Sequence, residues 1–118
     1  MSERTDTDLL RDIREAVRRI SAYTDAMTYD RFLADIKTQD AVIRNLEIMG
    51  EATKSLSSEL REKYPDVPWK GMAGARDRLI HDYFGVNLDI VWDIVSVELP
   101  ALGSQIRAIL QEEQNGGQ

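Results

Sequence analysis

The chain has 118 residues, of which 42% are hydrophobic and 31% are charged, a balance typical of one globular domain with a single core. The formal net charge of −6 disfavours broad, non-specific binding to nucleic acids, because such binding depends on neutralising phosphates. There are no cysteines for disulfides or thiolate metal sites, no apolar run long enough to span a membrane, and no apolar stretch typical of a signal peptide in residues 1–8. We therefore expect a cytoplasmic protein.

The first half of the sequence predicts helices from the spacing of its apolar residues. A helix of about five turns, capped by Asp6 or Thr7, follows from apolar residues at steps of three and four. These residues are Leu9, Leu10, Ile13, Ala16, Val17, Ile20 and Tyr23. Thr28 is the predicted cap of a short helix. A long helix is predicted over residues 38–55, and Gly50 within it indicates close packing against another helix. The residues predicted to face inward are Ala41, Val42, Leu46, Met49 and Thr53.

Serines and prolines mark the next boundaries. Ser57 or Ser58 can cap a short helix that ends near Tyr64. Pro65 and Pro68 then predict an extended connection, because proline and the residue before it disfavour a helix interior.

Helical periodicity resumes over residues 75–84, and Gly85 is the predicted terminator. Asn87 is the predicted cap of the next helix, whose apolar residues are Leu88, Val91, Trp92, Val95 and Leu99. Pro100 marks either a break or the first turn of the last helix.

No strand pattern appears along the sequence. The helices therefore predict an all-α fold, an up-and-down bundle of about four to five main helices, in one domain over residues 1–110. Residues 111–118 are polar and predict a flexible tail.

The residue types that could perform chemistry lie between Arg76 and Tyr83. His81 is the one histidine of the chain, and Asp77, four residues before it, could orient the imidazole on a helix. Arg78 can pair with Asp82 at the same spacing, whereas Arg76 lies about 140° around an ideal helix from the histidine. These residues alone leave a catalytic and a structural histidine both open.

The segment Arg76-Asp-Arg-Leu-Ile-His-Asp-Tyr83 resembles the Arg-x4-His-x-Tyr signature of the HepT-type toxins, members of the HEPN superfamily. Its flanks, Val67-Pro-Trp-Lys-Gly-Met72, Phe84-Gly-Val86, Val91-Trp92 and Glu98-Leu-Pro100, are similar to the pattern around that signature, and residues 38–52 resemble the family's long second helix. The resemblance spans roughly residues 8–110. The segment departs slightly from the family's pattern at one position, Asp77, where asparagine is also common in the family.

The resemblance implies a HEPN-like fold and a metal-independent ribonuclease with no cofactor, whose cleft lies between the two subunits of a homodimer. Arg76 and His81 are the implied catalytic residues, with Asp77 and Arg78 in support. The resemblance further implies a toxin of a toxin–antitoxin pair, with RNA as its substrate and tRNA as one candidate. A nucleotidyltransferase antitoxin would silence it by attaching AMP to Tyr83.

Other interpretations stay open at this point. The chain could be a catalytically silent HEPN module that binds a nucleotide or a nucleotidyltransferase partner, although a silent module has no need of Arg76 and His81. It could also be an unrelated helical adaptor. Glu47 and Glu51 share a helical face and could hold Mg²⁺, but the sequence offers no matching cluster of acidic residues.

Overall fold

A computed structural model of the protein describes residues 4–79 and 85–116. Its helices, in chain order, are α1 (Asp6–Tyr23), α2 (Tyr29–Leu33), α3 (Ile36–Ser55), α4 (Ser58–Lys63), α5 (Trp69–Ala73), α6 (Ala75–Leu79), α7 (Leu88–Asp93) and α8 (Leu99–Gly116). A π-helical turn, Ile94–Glu98, joins α7 to α8. The predicted all-α fold is confirmed. No helix in the described part of the chain is long and apolar enough to cross a membrane.

Helix α1 begins with a capping box. The Thr5 hydroxyl accepts from the backbone N–H of Asp8 at 3.1 Å, and the Asp8 carboxylate accepts from the N–H of Thr5 at 3.2 Å. The predicted caps, Asp6 and Thr7, are therefore wrong, because Thr5 makes the reciprocal bonds. The predicted apolar stripe is buried except for its last member, Tyr23, which is 41% exposed.

Helices α1 and α3 run antiparallel, because the start of α1 lies beside the end of α3. Asp6 accepts hydrogen bonds from the backbone N–H of Ser57 at 2.9 Å and from its hydroxyl at 2.6 Å. Helix α8 also packs antiparallel to α1. Gly103, near the start of α8, lies against Val17, near the end of α1, and an added Cβ would be 3.2 Å from the Val17 Cγ1.

The segment from α4 to α6 forms the fourth part of the bundle, beside α1, α3 and α8. Helix α4 starts beside Asp6, at one end of the molecule. Helix α7 starts at the other end, since the Trp92 ring lies 5.2 Å from the ring of Phe32 on α2, just before α3 begins. The chain therefore runs back along α3 between α4 and α7, and the up-and-down arrangement is confirmed.

The connection around Pro65 and Pro68 is a turn and not the extended segment predicted. The N–H of Val67 donates to the Tyr64 carbonyl at 3.3 Å, and the chain enters α5 at Trp69. The Trp69 indole N–H donates to the same carbonyl at 2.8 Å while its ring is buried. Burial of this ring folds the segment back on the core and supports a helix that the sequence did not predict.

Two proposed boundaries in the last part of the chain are confirmed. The Asn87 side chain caps α7 by accepting from the N–H of Ile90 at 3.2 Å, and Pro100 lies in the first turn of α8. Helix α8 continues to Gly116, so residues 111–116 are helical where the sequence suggested a tail. Glu113 in this segment accepts hydrogen bonds from Lys63 and Tyr64, which attach the end of α8 to α4.

Candidate functional site

The structure describes residues 76–79 of the motif Arg76–Tyr83, and these residues lie on helix α6. Ala75 and Leu79 are buried and fix the helix to the core, while Arg76, Asp77 and Arg78 between them are exposed. The predicted catalytic His81, the predicted modification site Tyr83, and Asp82 lie outside the described residues. The structure therefore places the arginines and the acidic residue of the motif, and the expected contact of Asp77 with the histidine stays a prediction.

Arg76 borders a cleft of about 520 Å³ between α6, α3 and the first half of α1. Its side chain is 67% exposed, and its Nε lies 4.0 Å from a carboxylate oxygen of Glu47. That separation exceeds a hydrogen bond, so the guanidinium keeps donors available for an anionic ligand. The charged residues that line the cleft are Asp12, Arg44, Glu47, Glu51, Lys54 and Arg76.

The acidic residues of this cleft lie next to basic partners. Glu51 lies 3.4 Å from the Lys54 ammonium, and Glu47 faces Arg76. Within the described ranges, no group of three or more histidine, cysteine, aspartate or glutamate residues could hold a metal ion. Chemically, the described part of the cleft offers an exposed cation at Arg76 beside a mixed-charge surface.

Arg78 projects to the other side of α6 and binds Glu98. Its two terminal nitrogens donate to the two carboxylate oxygens at 3.0 and 2.8 Å, in the parallel fork that arginine forms with carboxylates. These hydrogen bonds lower the pKa of Glu98. The sequence paired Arg78 with Asp82 from helical spacing. The described structure instead gives Arg78 a partner twenty residues away, and Asp82 itself is not among the described residues.

Helix α6 is placed by its continuity with α5 and by the close contact of α5 with α3. The N–H of Gly74 donates to the Lys70 carbonyl at 3.0 Å, and the N–H of Arg78 donates to the Gly74 carbonyl at 3.2 Å. Gly50 on α3 lets the backbone of α5 approach, since an added Cβ would lie 3.2 Å from the Met72 carbonyl oxygen. The close packing predicted from Gly50 is therefore confirmed.

Among the described residues, a backbone hydrogen bond joins α6 to the cap of α7. The N–H of Asn87 donates to the carbonyl of Leu79 at 2.7 Å. Residue 79 and residue 87 are therefore held together, on either side of the stretch that contains His81 and Tyr83.

Sequence reasoning missed the contacts of two acidic residues. Glu47 was considered only as a metal ligand, whereas it faces Arg76. Glu98 was noted only within the Glu98-Leu-Pro100 flank, whereas it binds Arg78. Helical spacing cannot reveal either contact because the partners lie on different helices. The similarity of the flank was the one signal for Glu98.

A family model and several known proteins match most of this chain. A family model described as "Ribonuclease HepT-like" matches residues 13–109. "Putative RNase MJ0127" of Methanocaldococcus jannaschii is 52% identical over 103 residues, which cover 87% of this chain and 85% of that protein. "Probable ribonuclease HepT" of Thermococcus cleftensis is 44% identical over 100 residues, which cover 85% of this chain and 91% of that protein.

A third relative is also similar to this chain. "Putative RNase TTE0752" of Caldanaerobacter subterraneus subsp. tengcongensis is 48% identical over 88 residues, which cover 75% of this chain and 79% of that protein. No solved structure gives a significant match.

Proposed function

This chain belongs to the HepT-like ribonuclease family, and we propose that it cuts RNA without a metal ion at a site formed by Arg76 and His81 of two subunits. The observation that carries the proposal is the family match over residues 13–109, which includes both proposed catalytic residues. The exposed guanidinium of Arg76 at the mouth of a cleft supports it, because an arginine that binds a phosphate must be accessible.

The proposed reaction uses the 2′-hydroxyl of the RNA as the nucleophile. A general base takes the proton of this hydroxyl, the oxygen bonds to the adjacent phosphorus, and the bond from phosphorus to the 5′-oxygen breaks. A general acid gives a proton to the departing 5′-oxygen, so the products are a 2′,3′-cyclic phosphate and a free 5′-hydroxyl. A nearby cation stabilises the negative charge that accumulates on the phosphorane oxygens.

A symmetric dimer would supply all the groups that this reaction needs. The chain has one histidine, which cannot easily act as acid and base in the same step. A two-fold axis beside the motif would bring together two His81 imidazoles and two Arg76 guanidiniums. One histidine would then serve as the base, the other as the acid, and the arginines would hold the phosphate. Asp77 would orient the imidazole of its own chain.

The direct test is an RNA cleavage assay with and without EDTA. We expect cleavage to persist in EDTA, and we expect His81→Ala and Arg76→Ala each to abolish it while circular dichroism shows unchanged helical content. Arg18→Ala is the matched control, because Arg18 is an exposed arginine that pairs with Glu15 on α1. Wild-type cleavage by His81→Ala would refute the proposed site. An intact protein that cuts no RNA would favour the silent module.

The dimer is tested separately by light scattering and by mixing subunits. Light scattering should give twice the mass of one chain at micromolar concentration, and a fully active monomer would contradict the shared site. Because the scheme needs both histidines at one site, a mixture of Arg76→Ala and His81→Ala subunits should stay inactive. Activity restored in the mixed dimer would show that one histidine and one arginine suffice, and it would refute the two-histidine scheme. Mixing either variant with itself is the control.

We also propose that the chain is the toxin of a toxin–antitoxin pair, silenced when a nucleotidyltransferase antitoxin attaches AMP to Tyr83. A bulky, negatively charged nucleotide two residues from His81 would exclude an RNA phosphate. Tyr64 is a poor acceptor by comparison, because burial and its hydrogen bond to Glu113 raise the pKa of its phenol. Tyr23 is exposed and lies on α1, so it provides an accessible control.

Mass spectrometry after incubation with the antitoxin and ATP tests this regulation. We expect AMP-sized mass on Tyr83, a loss of RNA cleavage, and resistance of Tyr83→Phe to silencing. Label on Tyr23, Tyr29 or Tyr64 instead, or an unlabelled chain with an antitoxin shown to be active, would refute it.

A further inference from the structure

The Arg78–Glu98 pair joins the motif helix to the π-helical turn. Arg78 lies on α6 and Glu98 is the last residue of the turn Ile94–Glu98, and the two make two hydrogen bonds at 3.0 and 2.8 Å. Both side chains are partly exposed, at 40% and 38%. An exposed ion pair stabilises a fold little, so its geometry is of more interest than its contribution to the free energy of unfolding.

The π-helical turn is what gives Glu98 its position. The N–H of Leu99 donates to the Ile94 carbonyl, five residues back instead of four. Pro100 follows at once and has no N–H, and its ring disfavours a regular α-helical turn before it. The extra residue in this turn changes the direction in which the Glu98 side chain projects from the helix. Turns of this kind are rare and occur frequently at functional sites.

The described part of α6, Ala75–Leu79, has contacts on both of its sides. Arg76 faces Glu47 of α3 on one side at 4.0 Å, and Arg78 is bound to Glu98 on the other. The fork is the more specific of the two contacts, because two parallel hydrogen bonds fix a direction as well as a distance.

From this geometry we infer that Arg78 and Glu98 are positioning residues, which orient α6 so that Arg76 meets the RNA phosphate correctly. The inference rests on the proposed ribonuclease function. Neither residue touches the reacting atoms in this scheme. A displacement of about 1 Å at a catalytic group can lower the rate by roughly a hundredfold, so loss of the fork should lower kcat more than it changes KM.

The experiment measures kcat, KM and the free energy of unfolding for Arg78→Ala, Glu98→Ala and the exchanged pair Arg78→Glu/Glu98→Arg. We expect kcat to fall about 10- to 100-fold in each single variant, with KM changed less than about threefold. The exchanged pair should recover part of the loss. The pKa of the Arg78 guanidinium is raised mainly by its hydrogen bonds to Glu98 and also by the nearby negative charge of Asp93. Recovery will be incomplete because Asp93 would repel a glutamate at position 78. Arg78→Lys should be intermediate, since an ammonium cannot form the parallel fork.

The matched control is a second arginine–glutamate fork, which does not line the cleft that Arg76 borders. Arg18 donates to the two carboxylate oxygens of Glu15 at 2.7 and 2.6 Å on an exposed face of α1. Arg18→Ala should keep the wild-type kcat. If Arg78→Ala does not fold, Glu98→Gln, which retains the shape of the side chain, carries the same prediction.

The outcomes separate this inference from the proposed function. A kcat for Arg78→Ala equal to that of Arg18→Ala, or single variants with no recovery in the exchanged pair, would overturn the positioning role alone. A wild-type chain that cuts no RNA would overturn the proposed function and this inference with it.

Discussion

The contact between α3 and α5 at Gly50 allows a quantitative test of how the motif helix is placed. A Cβ at position 50 would lie 3.2 Å from the carbonyl oxygen of Met72 and 3.7 Å from that of Ala73. Both atoms belong to the backbone of α5, so relief of the contact requires the helix to move. At position 71, within α5, an added Cβ would meet nothing within 4 Å. The two glycines therefore differ in their surroundings while both occupy helices.

We expect Gly71→Ala to stabilise the protein by about 0.4–1 kcal/mol, because alanine restricts the unfolded chain. Gly50→Ala gains about the same 0.4–1 kcal/mol but costs about 1–3 kcal/mol through overpacking. The free energies of unfolding of the two variants should therefore differ by about 1–3 kcal/mol, measured by urea denaturation at equilibrium with slopes that match the wild type. Gly50→Ala should also lower RNA cleavage, since α6 continues from α5.

Equal stabilisation of the two variants would refute the reasoning, because it would mean that α5 can retreat from α3 at no cost. In that case the position of Arg76 could not depend on the Gly50 contact. A drop in stability for Gly71→Ala as large as that for Gly50→Ala would also contradict it, since position 71 has room for a methyl group.

Three further results follow from the described contacts. Asn87→Ala should lower the free energy of unfolding by about 1 kcal/mol through loss of the α7 cap, and Asn87→Asp should retain most of it in urea denaturation. Ile106→Ala should cost about 2–5 kcal/mol in the same measurement, because its side chain is fully buried. The hydrogen bonds from Arg78 lower the pKa of the Glu98 carboxyl. The stability that they add to the fold is therefore complete above the ordinary glutamate pKa, and it is lost as pH falls through the lowered pKa. NMR titration should show the Glu98 pKa returning towards its ordinary value in Arg78→Ala, and an unchanged low value would contradict the fork.

Features that depend on a few adjacent residues were predictable from the sequence. Thr28, Ser57 and Asn87 each cap the helix that was predicted to begin there, because the cap side-chain oxygen accepts a hydrogen bond from the N–H three positions later. The start of α1 was misplaced because several neighbouring polar residues could cap it. Thr5 is the N-cap of α1 because Asp8 completes the capping box.

Helix α5 was missed because its cause is not local. Its sequence contains a glycine and follows two prolines, and both types disfavour a helix by intrinsic preference. The burial of Trp69 and Met72 against α3 overrides that preference. Tertiary packing supplies most of the stability of short helices, so the sequence pattern of five residues carries little information about them.

The same limit applies to the site and explains which part of it could be read from the sequence. The order Arg76, Asp77, Arg78 fixes which side chains α6 carries, and their exposure follows from the buried Ala75 and Leu79. What each arginine meets depends on α3 and on the π-helical turn, which the periodicity of α6 does not encode. Contacts of this kind join residues far apart in sequence, as Glu98 with Arg78 and Gly50 with the backbone of α5. The eight-residue signature is therefore insufficient to build the site by itself.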